Sequence, residues 1–180
     1  MLFTQSRDAA QAIDAPQAAD DPLNRCINGV LAGLIATAPM TWTIRGAQRF
    51  VLRRAGNRIP PRQVAEAVLR EADVDDELRP RTKDAFATLS HYAFGAAAGG
   101  LLAVVTKASP LPKPVSGALV GLGVWTASYL GWLPAAGLRR SARKDYGERT
   151  AQMIVAHLVW GATAAMLVED LGVEDRRENT

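Results

Sequence analysis

The chain has 180 residues, 48 % of them apolar and 22 % charged, with a net charge of +3 and a mean hydropathy of −0.01. These averages suit a soluble domain, but charge is absent from Phe86–Thr106, Val115–Leu138 and Ala151–Val168 and crowds the segments between. One cysteine, Cys26, excludes an internal disulfide framework and a Cys-based zinc site, and no HExxH, phosphate-loop or GxSxG motif occurs.

Residues 1–26 mix Ala, Gln and Asp and lack the basic start and apolar centre of a signal peptide, so they read as a polar tail. Cys26, at the end of that tail, reads as a small buried apolar residue. Residues 27–44 then run without a charge, long enough at a rise of about 1.5 Å per residue to cross a hydrocarbon layer. Pro39 interrupts this stretch and predicts a kink, with Thr37, Thr41 and neighbouring helices satisfying the freed backbone groups. Residues 86–106, 115–138 and 151–168 supply three more such spans. Helices buried in a soluble bundle keep a polar stripe toward water, and these do not. The predicted class is all-α, a polytopic membrane protein with four transmembrane helices packed as a bundle over residues 27–171, followed by a tail over 172–180.

The 45–85 loop is long for a bundle connection and predicts structure of its own. Arg45 to Arg54 should extend the first helix, Gly56-Asn57 should end it, and Pro60-Pro61 should open a second helix over about 61–72 with Val64, Val68 and Leu69 on one side. That helix would lie at the membrane surface, either covering the mouth of the bundle or binding lipid or a partner. Fifteen Lys and Arg residues lie in the 45–85 and 139–150 loops and six lie elsewhere, which predicts that these loops face the cytoplasm and both termini lie outside it. Trp42 and Trp132, near the cytoplasmic ends of their spans, agree. The expected partners of the basic loops are anionic lipid headgroups of the inner membrane, not nucleic acid.

The spans also suggest a repeat. Gly29-Val30-Leu31-Ala32-Gly33-Leu34 and Gly117-Ala118-Leu119-Val120-Gly121-Leu122 share a pattern, and His91-Tyr92-Ala93-Phe94-Gly95 matches His157-Leu158-Val159-Trp160-Gly161. Two similar helical hairpins would then be related by an axis along the membrane normal, with the second and fourth spans facing each other as equivalents. Small residues four apart let backbones approach, so Gly29/Gly33, Gly95/Gly99, Gly117/Gly121 and Gly161/Ala165 are the expected packing seams, with homo-oligomerisation or membership of a larger membrane complex as a further use of such faces.

His91 and His157 are the only histidines, each roughly 8 Å inside the cytoplasmic boundary of its span. Ionisable groups at that depth face the interior of a bundle or a wet cavity. Four roles are open. One is a clamp between helices by hydrogen bonds to Thr37, Thr41, Ser128 or Tyr129; the second is a proton-relaying pair; the third is a haem site, the glycine four residues after each imidazole leaving room for the macrocycle; the fourth is a substrate path lined with Trp125 and Tyr129. No third ligand for a metal site accompanies them.

The Ala36-Thr37-Ala38-Pro39-Met40-Thr41 segment, Pro60-Pro61-Arg62, His91-Tyr92-Ala93-Phe94-Gly95, the stretch from Trp125 to Pro134 and His157-Leu158-Val159-Trp160-Gly161 together resemble the YagU-like family of uncharacterised small bacterial inner-membrane proteins. The resemblance spans residues 27–168 and implies a multi-pass inner-membrane protein, with no catalytic residues to transfer. The reading is therefore a non-enzymatic structural or accessory membrane protein. A haem-binding or proton-coupled protein using His91 and His157, and a small transporter or subunit of a membrane complex, are its alternatives.

Overall fold

Uncharged spans that must satisfy every backbone group internally fold as helices. The computed structural model describes residues 22–50, 60–74, 78–138 and 147–178, all helices and short turns, with no strand among them. Helix α1 covers Pro22–Phe50, α2 Pro60–Glu71, α3 Pro80–Lys107, α4 Lys113–Ala135 and α5 Gly147–Glu178. All but α2 are long and apolar enough to cross a membrane. Their outward faces carry Leu31, Ile35, Leu101, Val104, Leu119, Val155 and Met166, an apolar exterior that suits lipid and not water. The stop expected at Gly56-Asn57, most of the N-terminal tail and residues 139–146 lie outside the described residues.

Two long contacts bring backbone against backbone. Along α1 and α3, a Cβ on Gly29 would lie 2.5 Å from the Ala103 Cβ and 2.6 Å from the Gly99 carbonyl oxygen, and one on Gly33 would lie 2.7 Å from the Gly99 Cα. Along α4 and α5, a Cβ on Gly117 would lie 2.5 Å from the Ala165 Cβ and would strike the Gly161 carbonyl, while one on Gly121 would strike the His157 carbonyl. Gly95 is closed by the Thr37 hydroxyl. These glycines are turned to partners within the chain. Cys26 is half-buried, its thiol facing Gly100.

The two helix pairs meet chiefly through α1 and α5, and not through α3 and α5 as the sequence alignment of the histidine motifs suggests. Two side chains of α5 explain the choice. The Trp160 indole N–H donates to the Gly33 carbonyl at 3.2 Å, and the Gln152 amide donates to the Ile44 carbonyl at 2.6 Å, both buried. Ala32, Ala36, Ala156 and Ala164, all fully buried, give these helices a flat meeting surface. Contacts of α3 with α4 and with α5 are slight.

Helix α1 is continuous through Pro39, with Thr37, Thr41 and Thr43 donating to carbonyls four residues back, so the expected kink is not a break in the helix. The irregularity lies in α4 instead. Pro134 has no N–H for the Leu130 carbonyl, and the chain widens into a π-turn over Ala127–Trp132, with the Leu133 N–H reaching the Ser128 carbonyl and Gly131 leaving helical geometry at φ −106° and ψ −105°. Gly137 then ends the helix in a left-handed turn at φ +71°, its N–H on the Pro134 carbonyl and that of Leu138 on the Leu133 carbonyl.

At the other end of the bundle, the Arg25 guanidinium donates to the Ala103 carbonyl at 2.8 Å and the Lys113 ammonium to the Thr106 carbonyl at 3.2 Å. Both stabilise the negative end of α3, a local use for basic residues on the side with fewer of them.

Gly121 and Gly123 form a matched test of the seam, because nothing lies within 4 Å of a Cβ on Gly123. Gly121→Ala should lower unfolding free energy by about 1–3 kcal/mol, measured by denaturant titration in mixed micelles, whereas Gly123→Ala should be neutral or stabilising by up to about 1 kcal/mol. Equal effects would refute backbone contact as the basis of the α4–α5 pair.

Candidate functional site

Because α3 approaches α4 and α5 only slightly, the half of the bundle beyond the glycine seams does not close. A cavity of about 280 Å³ remains there. Met40 of α1, Phe86, Ala87, His91 and Phe94 of α3, Val124, Tyr129, Trp132 and Leu133 of α4, and Met153, His157 and Trp160 of α5 line it. Helix α2 covers one end, laying Val64, Ala65 and Val68 against it, while Leu69 is also buried.

The sequence of α2 explains that cover. Its apolar residues recur on one face, and Arg62 fixes its placement by two contacts at 2.9 Å, one with Glu66 a turn away and one with Asp84 of α3. The hydrogen bond that Arg62 donates to the Glu66 carboxylate, with the nearby Asp84 carboxylate, raises the Arg62 pKa above its usual value. This pair is half-exposed and fixes orientation more than it adds stability.

His91 and His157 both line the cavity. The His157 Nδ1 lies 2.7 Å from the Met153 carbonyl of its own helix, and its ring meets the Tyr129 ring edge-on with centroids 5.9 Å apart. Tyr129 in turn stacks on Trp125 at 6.2 Å. The Nε2 of His91 is buried without a hydrogen-bond partner. Of the groups expected to receive the histidines, three bond elsewhere: the Thr37 and Thr41 hydroxyls donate within α1 and the Ser128 hydroxyl accepts the Trp132 indole N–H at 3.3 Å. Trp160 and Gln152, whose longer side chains reach backbone carbonyls of α1, supply interhelical hydrogen bonds.

Haem does not fit this arrangement. The room expected beside each imidazole is at Gly95 and Gly161, and those faces are filled by Thr37 of α1 and Gly117 of α4. No group of three or more His, Cys, Asp or Glu side chains disposed to hold a metal ion occurs among the described residues. The described residues lining the cavity include no carboxylate, lysine or arginine.

Sequence reading missed two parts of this wall. Phe94 and Trp132 face each other between α3 and α4 with centroids 6.3 Å apart and are 42 % and 47 % exposed, so they stand where the cavity meets the outside. The π-turn that carries Ser128, Tyr129 and Trp132 to the wall was signalled only by Gly131 and Pro134, a weak cue inside an apolar span. Trp42, by contrast, projects outward at 73 % exposure.

A scan against protein-family models, a search of curated proteins and a search of solved structures each returned no match to the chain. Four apolar helices are compatible with a multi-pass membrane protein. That is the class the fold defines, and the cavity is the part of it that calls for a function.

A buried donor or acceptor without a partner costs about 1–3 kcal/mol. His91→Leu should therefore leave the protein as stable as the parent or slightly more so. Gln152→Leu should cost about 0.5–1.5 kcal/mol through loss of its bond to the Ile44 carbonyl. Denaturant titration of the two variants in the same micelles distinguishes the histidine as a site residue from the glutamine as a structural one. A His91→Leu protein destabilised as much as Gln152→Leu would reverse the assignment.

Proposed function

We propose that the chain is a non-enzymatic inner-membrane protein whose working part is the cavity between its helix pairs, and that it holds a small molecule there. The observation that carries this reading is a cavity of about 280 Å³ whose wall is mostly apolar and includes His91 and His157. Ligand sites are concave and mostly apolar, with a few polar groups that fix orientation. The π-turn at Ala127–Trp132 supports it further, because such turns concentrate at functional positions.

In this reading the bundle is a duplicated hairpin, α1 with α3 and α4 with α5. Gly29 meets Gly99 and Ala103 as Gly117 meets Gly161 and Ala165, so the contacts favour a register one turn away from the alignment of the two histidine motifs. The histidines are then neighbours in one site and not equivalents of a repeat. The basic 45–85 and 139–150 loops face the cytoplasm, α2 lies on that surface, and both termini are extracytoplasmic. The resemblance to the YagU-like family belongs to the same proposal.

The test is direct. Protein purified in native-membrane nanodiscs should yield, on organic extraction, a small molecule near one equivalent per chain, and an Ala98→Phe variant that fills the cavity should lose it while remaining folded. Equal yields from both proteins, or none from the parent, would refute the reading. A phosphatase fused at the C-terminus should be active, reporting the extracytoplasmic side, and an inactive fusion would reverse the orientation.

A further inference from the structure

We infer that the ligand is an uncharged lipophile bearing a carbonyl or hydroxyl oxygen, and that it enters sideways from the bilayer between Phe94 and Trp132. The inference rests on the cavity reading above and deepens it. Its first support is charge. The described lining residues include no lysine, arginine or carboxylate, so a phosphate, carboxylate or ammonium head would gain no counter-charge from them.

The second support is hydrogen bonding. The Thr37 and Ser90 hydroxyls are spent on the carbonyls of Gly33 and Phe86, and His157 Nδ1 lies against the Met153 carbonyl. His91 lines the cavity with its Nε2 buried and unpartnered, and a turn of the ring would bring that nitrogen to a ligand oxygen that satisfies it in either tautomer, as a hydroxyl, or as a carbonyl when the nitrogen is protonated.

The third support is size and access. A volume of about 280 Å³ is near the small end of ligand pockets, which begin at about 300 Å³. It takes a head or ring and leaves a long tail outside. The slot between Phe94 and Trp132 gives that tail a way out, since both rings line the cavity and are also exposed on the apolar exterior. Two aromatic rings 6.3 Å apart move aside by rotamer changes that need no movement of either helix. Helix α2, held by Arg62 on Asp84, stands over the aqueous end, so the bilayer is the open side.

The full chain in lipid nanodiscs is titrated with three probes, 2-decyl-1,4-benzoquinone, decylbenzene and decyl phosphate, and the thermal midpoint is followed by circular dichroism. The quinone should raise the midpoint most, and His91→Leu should weaken its apparent affinity about tenfold while leaving that of decylbenzene unchanged. Phe94→Ala should accelerate both association and release of the quinone, read from quenching of tryptophan fluorescence. Decyl phosphate binding as well as the quinone would overturn the uncharged class. Equal affinity of parent and His91→Leu for the quinone would overturn the oxygen contact, and unchanged rates in Phe94→Ala would overturn the lateral route. In each of these cases the cavity reading stands. No shift with any of the three probes overturns both.

Discussion

Gly33 is the point at which the two halves of the bundle are joined. Its missing side chain lets α1 settle onto the backbone of α3 at Gly99, and its carbonyl accepts both the Thr37 hydroxyl and the Trp160 indole of α5. In lipid, helices gain little from burying apolar surface against each other, so close backbone contact and a few buried hydrogen bonds decide which helices pair. Both are concentrated here. The rest of the arrangement follows: α1 is committed to α3 on one side and α5 on another, α4 follows α5 through its own glycines, and α3 and α4 are left apart.

That separation divides the bundle along its length. On one half the residues that meet are Gly, Ala and Leu102, and helices touch at backbone distance. On the other half larger side chains, Phe86, Phe94, Tyr129, Trp132 and Trp160, hold the helices off each other and line a space. The gradient from small to large residues is thus what opens the cavity, and α2 and the π-turn complete its wall. The histidines lie on this wide half, and their polarity is tolerated because they face the space and not lipid.

Much of this was legible in the sequence, for reasons that differ by element. The four spans follow from charge exclusion, and the boundaries lengthen because polar residues such as Arg25, Arg45 and Lys107 continue the helices beyond their apolar parts. The α2 start follows from Pro60-Pro61, since proline suits a first helical turn. The glycines were legible as small, but not which helix each would touch, because a spacing of four residues fixes a face and not a partner. The aligned histidine motifs misled on that point. Trp160 was read as part of the His157 motif, whereas its indole serves α1. Gln152, one polar residue at the edge of a span, gave no signal of its bond to Ile44, since a contact across more than a hundred positions depends on the assembled bundle.

The narrow half has a consequence for permeation. Gly29 and Gly33 against α3, Gly117 and Gly121 against α5, and the fully buried Ala32, Ala36, Leu102 and Ala164 between them form a tightly packed plug. A hydrated ion needs to keep or replace its shell of oxygens, and nothing along that plug supplies them. Conduction through that half would require the glycine contacts themselves to come apart.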